Sequence, residues 1–342
     1  MRYRTGRGVV TALQSISLEI GKNEFLAVVG ESGCGKSTLG LAVIGLLQPM
    51  VSEIASGSIT YNGTNLVALS HEQARYYRGT EIAMVFQEPL SSLNPTYRVE
   101  RQMAEAIAIR KARKDGIQGR QNVPQAVFRD DRAVGPRFMQ GARGLQPEIR
   151  SEIVRWLTLV RISDPEYVLR RYPFELSGGM RQRIMIAMAL SQEPALLIAD
   201  EPTTALDVTT QAQVLKLMKE LMVKVNASIL FISHDLAVAS QVAERIVVMY
   251  AGEVVEDANV HALFSSPLHP YTQGLLACIP RGTKNSSPVS PIPGSIPDLR
   301  ARPKGCSFAP RCPFAFDRCK SEVPGLLTPQ TDHKVRCFLY DK

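Results

Sequence analysis

Short apolar runs alternate with longer amphipathic segments along most of the chain. Runs of about four to eight apolar residues bounded by turn-forming residues predict strands, and apolar residues at every third or fourth position predict helices. The expected strands are residues 15–20, 25–29, 57–63, 82–86, 195–199 and 228–232. The expected helices are residues 39–47, 98–108, 148–160, 181–190 and 208–225. This alternation predicts an α/β fold with an open sheet.

Two segments break the alternation. Residues 111–146 lose periodicity and are rich in Gly, Arg and Gln, which predicts an irregular insertion. Residues 282–302 are rich in Pro, Ser and Gly, and this composition indicates a linker or an extended arm. With 342 residues, the chain is long enough for one large domain and a smaller C-terminal appendage.

Net charge and hydropathy limit the classes of protein to which this chain can belong. The net charge of +8 suits a nucleic-acid binder or a protein that docks on an anionic membrane. A solvated polar insertion is the simpler explanation of the arginines in residues 110–150. No apolar run reaches the ~18 residues of a membrane-spanning helix, and charged residues interrupt the N-terminus where a secretory signal would need an apolar core. We therefore expect the chain to remain in the cytosol, where thiols stay reduced.

A glycine-rich turn joins the strand at 25–29 to the following helix. Strand, glycine-rich turn with Gly-Lys-Ser, and helix form the context of a phosphate-binding loop. Backbone N–H groups exposed by the glycines and the positive end of the helix can surround an anion. Lys36 can reach the β- and γ-phosphates, and the Ser37 hydroxyl can ligate Mg²⁺. The sequence therefore predicts a nucleoside triphosphate site. The residues assigned to it are Gly30, Ser32, Gly33, Cys34, Gly35, Lys36, Ser37 and Thr38.

Polar residues follow three other expected strands. Gln87 could coordinate a metal or a water, or could simply be a turn residue. Asp200 suits Mg²⁺ ligation through water, and Glu201 suits a base that polarises the attacking water. His234 could hydrogen-bond a γ-phosphate, although a lone His is more often structural. Ligands of open α/β sheets bind at the carboxyl ends of the strands, and this favours functional roles for these side chains.

Two further features could touch a nucleotide. Ser177, Gly178 and Gly179 open a helix whose backbone N–H groups could face an anion, and an ordinary N-cap is the alternative. Tyr3 could stack on a nucleobase, and a disordered terminal residue is the alternative. Almost nothing precedes the expected strand at 15–20, so an opening strand could be missing.

Four cysteines lie within the last part of the chain, at Cys306, Cys312, Cys319 and Cys337. In a cytosolic chain, four cysteines so close together favour metal ligands over disulfides. The Cys-x-x-Cys pairs of zinc ribbons are absent, and the wider spacing suits a [4Fe–4S] cluster. Zinc, unliganded thiols and disulfides remain the alternatives.

The other two cysteines do not belong to this set. Cys34 lies inside the phosphate loop, where only its small size is needed, and Cys278 is expected to pack on a helix. Neither thiol is expected to ligate a metal.

The motifs occur in a characteristic order, which is the phosphate loop, Gln87, LSGGMRQ at 176–182, Asp200-Glu201, Asp207 and His234. This order resembles the nucleotide-binding subunit of ABC transporters, and LSGGMRQ is similar to the signature of that family. The resemblance implies an ABC-type P-loop ATPase with a RecA-like core, an antiparallel β subdomain and a helical signature subdomain. The implied domains are residues 1–262, with a helical subdomain at about 88–180 that includes the insertion at about 111–146, and a Cys-rich C-terminal extension at 263–342.

The resemblance also implies roles for individual residues. The motifs correspond to Walker A with Lys36, Ser37 and Thr38, the Q-loop with Gln87, Walker B with Asp200 and Glu201, the D-loop at 205–207, and the switch histidine His234. Glu201 would be the general base, and His234 would hold the γ-phosphate and the water in line, with Lys36 and Gln87 completing the catalytic set. Mg²⁺ would be held by Ser37, Gln87 and Asp200, and Tyr3 would stack on adenine.

Two such subunits are expected to sandwich two ATP molecules head to tail. Ser177, Gly178 and Gly179 would then contact the γ-phosphate bound by the Walker A motif of the partner subunit. Gln182 and Asp207 are assigned to the same nucleotide site.

Several shorter motifs are similar to the oligopeptide/dipeptide/nickel importer subfamily. They are Gln87-Glu88-Pro89 through Ser92-Leu93-Asn94-Pro95, ADEPTTALDV at 199–208, His269-Pro270-Tyr271-Thr272, and Pro310-Arg311-Cys312-Pro313. Related importers in this subfamily carry oligosaccharides. The subfamily resemblance also implies a [4Fe–4S] cluster at the four C-terminal cysteines.

We therefore expect an ATPase subunit at the cytoplasmic face of the membrane that energises a peptide importer. Its expected partners are two transmembrane permease subunits, a homologous second ATPase or a copy of this chain, and, indirectly, an extracytoplasmic solute-binding protein. The alternative from another class is a soluble ABC ATPase that acts on nucleic acid or ribosomes. The single cassette and the absence of sustained heptads count against that alternative. An exporter ATPase is a second alternative, and the importer-like C-terminal tail counts against it.

Overall fold

The structure is a computed structural model that describes residues 1–6, 8–87, 92–114, 146–204, 206–279 and 291–341. The chain divides into two compact units. Unit 1 contains Met1–Ala74 and Ser228–Lys342, and unit 2 contains Arg75–Ala227. The domain boundaries expected from the sequence at residues 88, 180 and 262 differ from this division and stay a prediction.

The described elements alternate between strands and helices, as the sequence pattern predicts. The strands are β1 Arg2–Thr5, β2 Gly8–Thr11, β3 Phe25–Val29, β4 Ser52–Glu53, β5 Thr60–Tyr61, β6 Thr64–Asn65, β7 Ile82–Val85, β8 Leu196–Asp200, β9 Ser228–Ser233, β10 Arg245–Tyr250, β11 Glu253–Asn259, β12 Leu327–Gln330 and β13 His333–Val335. The α-helices are α1 Lys36–Ile44, α2 His71–Tyr77, α3 Val99–Lys114, α4 Pro147–Leu159, α5 Pro165–Leu169, α6 Gly178–Leu190, α7 Val208–Val225, α8 Leu236–Ser240, α9 Val260–Ser265, α10 Pro270–Ala277 and α11 Asp317–Ser321.

A mixed sheet forms the core of unit 1, in the order β12-β13-β11-β10-β3-β9. Its central strand β3 pairs in parallel with β9 and β10, and every residue of β3 and β9 is buried. Parallel strands covered on both faces are expected to be continuously apolar, and this explains why both strands were recognisable in the sequence. The antiparallel strands β12 and β13 join the sheet through β11, so part of the C-terminal extension belongs to the core sheet.

A second, antiparallel sheet in unit 1 has the order β2-β1-β4. The β5–β6 hairpin turns at Asn62 and Gly63, whose φ values of 46° and 81° are those of a tight hairpin turn that favours Asn-Gly. The segment 57–63 expected as one strand therefore contains this turn, and the strand before the turn covers only Thr60–Tyr61.

Unit 2 combines the parallel pair β7–β8 with a group of packed helices. Helices α3, α4 and α6 pack on one another, and α6 also packs on α7 and β7. Trp156 of α4 is 2% exposed and belongs to the core of this unit. Arg110 of α3 lies buried against Glu152 of α4 and donates to the Ser191 carbonyl oxygen over 2.9 Å. This ion pair compensates the desolvation of a buried charge.

The structure corrects several local predictions. Residues 15–20 alternate in exposure but form no strand. Arginine side chains, rather than a neighbouring strand, bond part of their backbone. Arg336 donates to the Ser15 carbonyl oxygen, and Arg245 donates to the Glu19 carbonyl oxygen. Strands β1 and β2 precede this segment, so an opening strand is present. Helix α1 ends at Ile44 rather than at residue 47, because Gly45 adopts a left-handed cap with φ 68°.

The helix expected at 98–108 is longer than predicted and continues to Lys114. Arg113 in its last turn donates to the backbone carbonyls of Tyr76 and Arg78, and these distant contacts are invisible in a local sequence pattern. The first residues of the expected irregular insertion are therefore helical. Residues 115–145 of that insertion lie outside the described part of the chain.

Helix α6 begins at Gly178, three residues before the expected start. Among the described residues, no helix is both long and apolar enough to cross a membrane.

Candidate functional site

The phosphate loop lies between the buried strand β3 and helix α1. A Cβ atom at Gly30 would lie 2.2 Å from the Met249 carbonyl oxygen, and Gly30 has φ 159°, so the chain needs glycine where it leaves the strand. Gly35 caps α1 with φ 102°, and a Cβ there would lie 2.7 Å from the Ala12 carbonyl oxygen. The two glycines therefore let the loop turn tightly against neighbouring backbone and start the helix at Lys36.

Lys36 is buried within the loop that it follows. Its ammonium group donates to the Gly30 carbonyl over 2.7 Å and to the Glu31 carbonyl over 3.1 Å. Cys34 is buried as well, with its sulfur 3.9 Å from the same ammonium group, and burial raises the pKa of its thiol. That only the small size of Cys34 is needed here stays a prediction. The loop therefore presents a positive charge and a helix N-terminus, which together suit an anion.

The register of the central strands places His234 next to the loop. Val29 of β3 pairs with Ser233 of β9, and the next residues are Gly30 and His234. Asp235 then caps α8 by accepting from the backbone N–H groups of Ala237 and Val238. His234 therefore follows β9 at the same sheet edge as the phosphate loop, as expected from the sequence.

Tyr3 on β1 also lies near the start of α1. Its hydroxyl is 3.5 Å from Oγ1 of Thr38. Pairing with Val10 of β2 and Ser52 of β4 holds Tyr3 in the small antiparallel sheet. Tyr3 is therefore an ordered part of unit 1 rather than a loose terminal residue.

Unit 2 brings Gln87 and Glu201 together. Val85 of β7 pairs in parallel with Ala199 of β8, and the two side chains follow this register two residues later. Gln87 Nε2 donates to Glu201 Oε2 over 3.1 Å, and Thr204 Oγ1 donates to the same oxygen over 3.1 Å. Two donors on one carboxylate oxygen orient the Glu201 side chain.

Glu201 also has an unusual backbone, with φ 44° in the left-handed region. Such a conformation is uncommon for a residue other than Gly, Asn or Asp and is often found at functional positions. Asp200 before it ends β8 and is 6% exposed. The predicted Walker B pair therefore comprises a buried carboxylate followed by an oriented one.

The LSGGM segment opens helix α6 in unit 2. Ser177 is the N-cap, and its hydroxyl accepts from the Met180 N–H over 3.3 Å. Gln182 one turn later is 1% exposed, so it is buried under the helix start rather than displayed on it. A Cβ at Gly178 would meet no atom within 4 Å. The ordinary N-cap role is present, and the helix start is open as well.

Asp207 performs the same local function for α7. Its carboxylate accepts from the Thr210 N–H over 3.0 Å, and this backbone hydrogen bond lowers the pKa of Asp207. Thr210 also lies close to the LSGGM segment, since a Cβ at Gly179 would be 3.2 Å from its Cγ2. Two other predicted motif pieces, residues 88–91 and Ala205, lie outside the described residues.

Sequence reasoning missed a set of contacts between the phosphate loop and the C-terminal extension. Arg311 donates to both carboxylate oxygens of Glu31, over 2.7 and 3.0 Å. The Glu31 backbone N–H donates to the Tyr271 hydroxyl over 3.0 Å. The only sequence signal was an acidic residue inside an anion-binding loop, and nothing local indicated its partner about 280 residues later.

The four C-terminal cysteines line one cavity, together with His269 and several phenylalanines. Burial raises the pKa of Cys306 to about 11, and it also raises the pKa of Cys312 and Cys337. The backbone N–H groups of Phe308 and Ala309 at Cys306, of Phe314 at Cys312 and of Leu339 at Cys337 act in the opposite direction and lower these pKa values. In the described part of the chain no disulfide joins any of the cysteines.

The cavity is not arranged as a finished metal centre. Among the described residues, no group of three or more His, Cys, Asp or Glu side chains is placed so that it could hold a metal ion. Cys278 is the C-cap of helix α10 and is not among the residues that line the cavity.

Comparisons with known families match most of the chain. Residues 13–204 match the ABC transporter family, and residues 255–319 match the C-terminal region of oligopeptide/dipeptide transporters. The second match covers Cys306, Cys312 and Cys319, and it also covers Arg311, which contacts the phosphate loop.

Curated relatives are similar along nearly the whole chain. The oligopeptide transport ATP-binding protein AppD of Bacillus subtilis is 44% identical, over 97% of this chain and 92% of its own length. The dipeptide transport ATP-binding protein DppD of Escherichia coli is 41% identical, over 95% and 90%. These relatives do not favour the alternative of an ATPase acting on nucleic acid.

A solved structure shows the same fold. The dimeric structure of MJ0796, described as a bacterial ABC transporter cassette, is 25% identical and covers 76% of this chain and 95% of its own, with a TM-score of 0.58. With its phosphate loop, its oriented Glu201 and these matches, the chain belongs to the ABC transporter family and is an ATP-hydrolysing subunit of the oligopeptide/dipeptide branch.

Proposed function

We propose that this chain hydrolyses ATP to drive the import of peptides, or of related solutes such as oligosaccharides, through a membrane transporter. The observation that carries the proposal is the phosphate loop in a chain whose C-terminal region matches that of oligopeptide/dipeptide transporters. The chain's substrate is ATP, whereas the transported solute is selected by other subunits.

Glu201 is the proposed general base of hydrolysis. A base must hold its carboxylate in one orientation toward the attacking water. The hydrogen bonds from Gln87 and Thr204 supply this orientation.

Lys36 is the proposed ligand of the β- and γ-phosphates, together with the backbone N–H groups at the start of α1. Its present bonds are to loop carbonyls, so a phosphate would compete with neutral acceptors rather than with a carboxylate. The roles of Ser37, Gln87 and Asp200 at Mg²⁺, of His234 at the γ-phosphate and of Tyr3 at adenine stay predictions. The oxygen donors of this Mg²⁺ set are of the type that the ion prefers.

The proposed assembly contains a second ATPase subunit and two membrane permeases. The open start of α6 suits this arrangement, because Gly178 leaves space for an anion that another subunit would bring. The second ATPase is a homologue or a copy of this chain, and the assembly places the chain at the cytoplasmic face of the membrane.

The test of the ATPase mechanism is Glu201→Gln in the full chain assembled with its permeases. We expect ATP binding to persist and turnover to fall by about 10²–10⁴, the usual contribution of a general base. The matched control is Glu220→Gln, which removes a carboxylate paired with Arg161 on the surface of the same unit. Undiminished hydrolysis in the Glu201 variant would remove this residue as the base.

Uptake by proteoliposomes tests the transport assignment. Vesicles that contain the permeases and the solute-binding protein should accumulate labelled peptides only with ATP, and the Glu201 variant should abolish this uptake. ATP hydrolysis stimulated by an oligosaccharide but by no peptide would reassign the solute class and leave the ATPase mechanism intact.

The four cysteines are the proposed ligands of a [4Fe–4S] cluster. Four thiols on one apolar cavity provide the donor set, and the backbone N–H groups that lower the pKa of three of the thiols would favour their thiolate forms. The side chains would need to converge further to bind the group, since they are not placed at ligand geometry.

Metal analysis of protein purified without oxygen tests this site. We expect about four irons and four sulfides per chain and a brown colour. Cys319→Ser should lose the iron, whereas the control Cys278→Ser should retain it. A colourless protein with stoichiometric zinc would make the site a structural zinc clip, and a protein without either metal would refute a metal site.

A further inference from the structure

Glu31 places a carboxylate inside a loop that is expected to bind a triphosphate. It lies directly after Gly30, and its carboxylate carries the same sign of charge as the expected ligand. Like charges within a few ångströms repel one another strongly when solvent is partly excluded. An uncompensated Glu31 would therefore weaken binding at the loop.

Arg311 compensates this charge. Its guanidinium binds both Glu31 oxygens, over 2.7 and 3.0 Å, and the Arg311 side chain is only 4% exposed. The hydrogen bonds to Glu31 raise the pKa of Arg311. Such a bidentate pair fixes direction as well as distance.

The remaining donors of Arg311 are anchored in the C-terminal extension and the core sheet. They reach the carbonyl oxygens of Pro293 over 2.8 Å and Ile292 over 3.2 Å, and the Tyr250 hydroxyl over 3.4 Å. A guanidinium with all of these partners cannot follow Glu31 if the loop moves. It therefore holds the loop rather than being carried by it.

A second contact fixes the Glu31 backbone. The Glu31 N–H donates to the Tyr271 hydroxyl, and the Tyr271 ring is buried against Tyr250 and Phe308, with ring centroids 4.7 and 5.4 Å away. Because Lys36 donates to the Glu31 carbonyl, the position of Glu31 also sets the position of the ammonium group.

We propose that Arg311, assisted by Tyr271, is a positioning residue of the phosphate loop that neutralises Glu31 and holds the loop in the shape that binds ATP. The proposal rests on the proposed function of this loop as the ATP site. It gives the C-terminal extension a role in nucleotide affinity, in addition to any role as a metal site.

The experiment compares Arg311→Met with Arg300→Met in the full-length chain. Arg300 lies in the same extension and pairs with exposed Asp298, so it is a matched control. ATP affinity is measured by titration, and KM and kcat are measured in the assembled transporter. For Arg311→Met we expect the ATP dissociation constant and KM to rise about tenfold, which corresponds to ~1.4 kcal/mol, with kcat changed less than twofold. Arg300→Met should match the wild type.

Two further variants separate positioning from general stability. Arg311→Lys keeps the charge without the fork and should recover part of the ATP affinity. Glu31→Gln in the Arg311→Met background removes the uncompensated charge and should restore most of the affinity. A loss that is unchanged by the Glu31 substitution, or equal losses in kcat and KM, would overturn the proposal.

Tyr271→Phe keeps the proposal testable if Arg311→Met fails to fold. It removes only the hydroxyl that accepts the Glu31 N–H, and the ATP dissociation constant should rise about threefold, at the lower range of a hydrogen bond. An unchanged affinity in this variant would contradict the role of Tyr271. A wild-type chain that binds no ATP would instead refute the proposed function itself.

Discussion

Among the described helices, α1 and α6 begin at glycine-rich turns, and the protein holds their first turns in different ways. The start of α1 is enclosed by distant residues, since the Gly252 N–H donates to the Cys34 carbonyl over 2.8 Å and Tyr271 and Arg311 hold Glu31. The start of α6 is capped by its own Ser177, and that residue is exposed.

The difference shows that a helix N-terminus can suit an anion in two different settings. A helix N-terminus attracts anions wherever it occurs. At α1, tertiary contacts shape the loop and bury Lys36, so this start suits a ligand held tightly by its own chain. At α6, a local cap leaves the surface open, and this suits an anion presented by another subunit.

The strongest test of this comparison pairs Lys36→Ala with Gly178→Asp. Lys36→Ala should weaken ATP binding by about 100-fold, because it removes the main positive charge of the loop. Gly178→Asp has room for its side chain, so the isolated chain should keep its ATP affinity. In the assembled transporter, the new carboxylate should lower ATP turnover by about 100-fold through repulsion of a phosphate.

The measurements are ATP titration of the isolated chain and ATPase rates of the assembled transporter, with Gly178→Ala as the uncharged control. If Gly178→Asp lowers ATP affinity in the isolated chain as much as Lys36→Ala does, the distinction between the two helix starts is wrong.

A smaller effect should follow from removing the cap of α6. Ser177→Ala leaves the Met180 N–H without its acceptor and should lower the free energy of unfolding by about 1 kcal/mol. Ser151→Ala, at an exposed position in α4, is the control and should have no destabilising effect. Denaturant unfolding followed by circular dichroism measures both, and equal midpoints for the two variants would show that the cap contributes nothing.

The smallest expected effect is on the stability of the chain at low pH, and it comes from Asp207, the N-cap of α7. The pKa of Asp207 is lower in the folded chain than its ordinary value, mainly because the Thr210 N–H donates to it. Its contribution to stability is therefore present above the ordinary carboxyl pKa and is lost as the pH falls through the folded value.

Asp207→Asn keeps a good N-cap but does not titrate. On acidification from about pH 5 to pH 3, the wild type should lose slightly more stability than the variant. Unfolding midpoints across this range measure the difference, and identical slopes would contradict an effect of Asp207.

Much of the fold was predictable because it depends on local pattern. β3 was expected at the residues where it is found, and β9 differs by one residue, since a strand buried on both faces must be apolar throughout. Segment 15–20 has the alternation of a strand, yet arginine side chains satisfy part of its backbone. Whether an alternating segment finds a strand partner depends on the rest of the chain.

The same division applies to the candidate site. Most candidate site residues could be identified from the sequence, because each follows a strand that a short apolar run identifies. They are the loop glycines, Lys36, Gln87, Glu201 and His234. The contact of Gln87 with Glu201 could not be predicted from the sequence, because it depends on the parallel register of β7 and β8.

The amino-acid sequence by itself therefore determined the phosphate loop, the order of the functional motifs along the chain, and the family. Each of these depends on residues that are close together along the chain. Only the tertiary structure decided that Arg311 and Tyr271 hold Glu31, and that four cysteines share one cavity. The physical reason is that a buried ion pair or a shared cavity is defined by distances across the fold. Such distances are set by the packing of the sheet, and a partner about 280 residues away leaves no local trace.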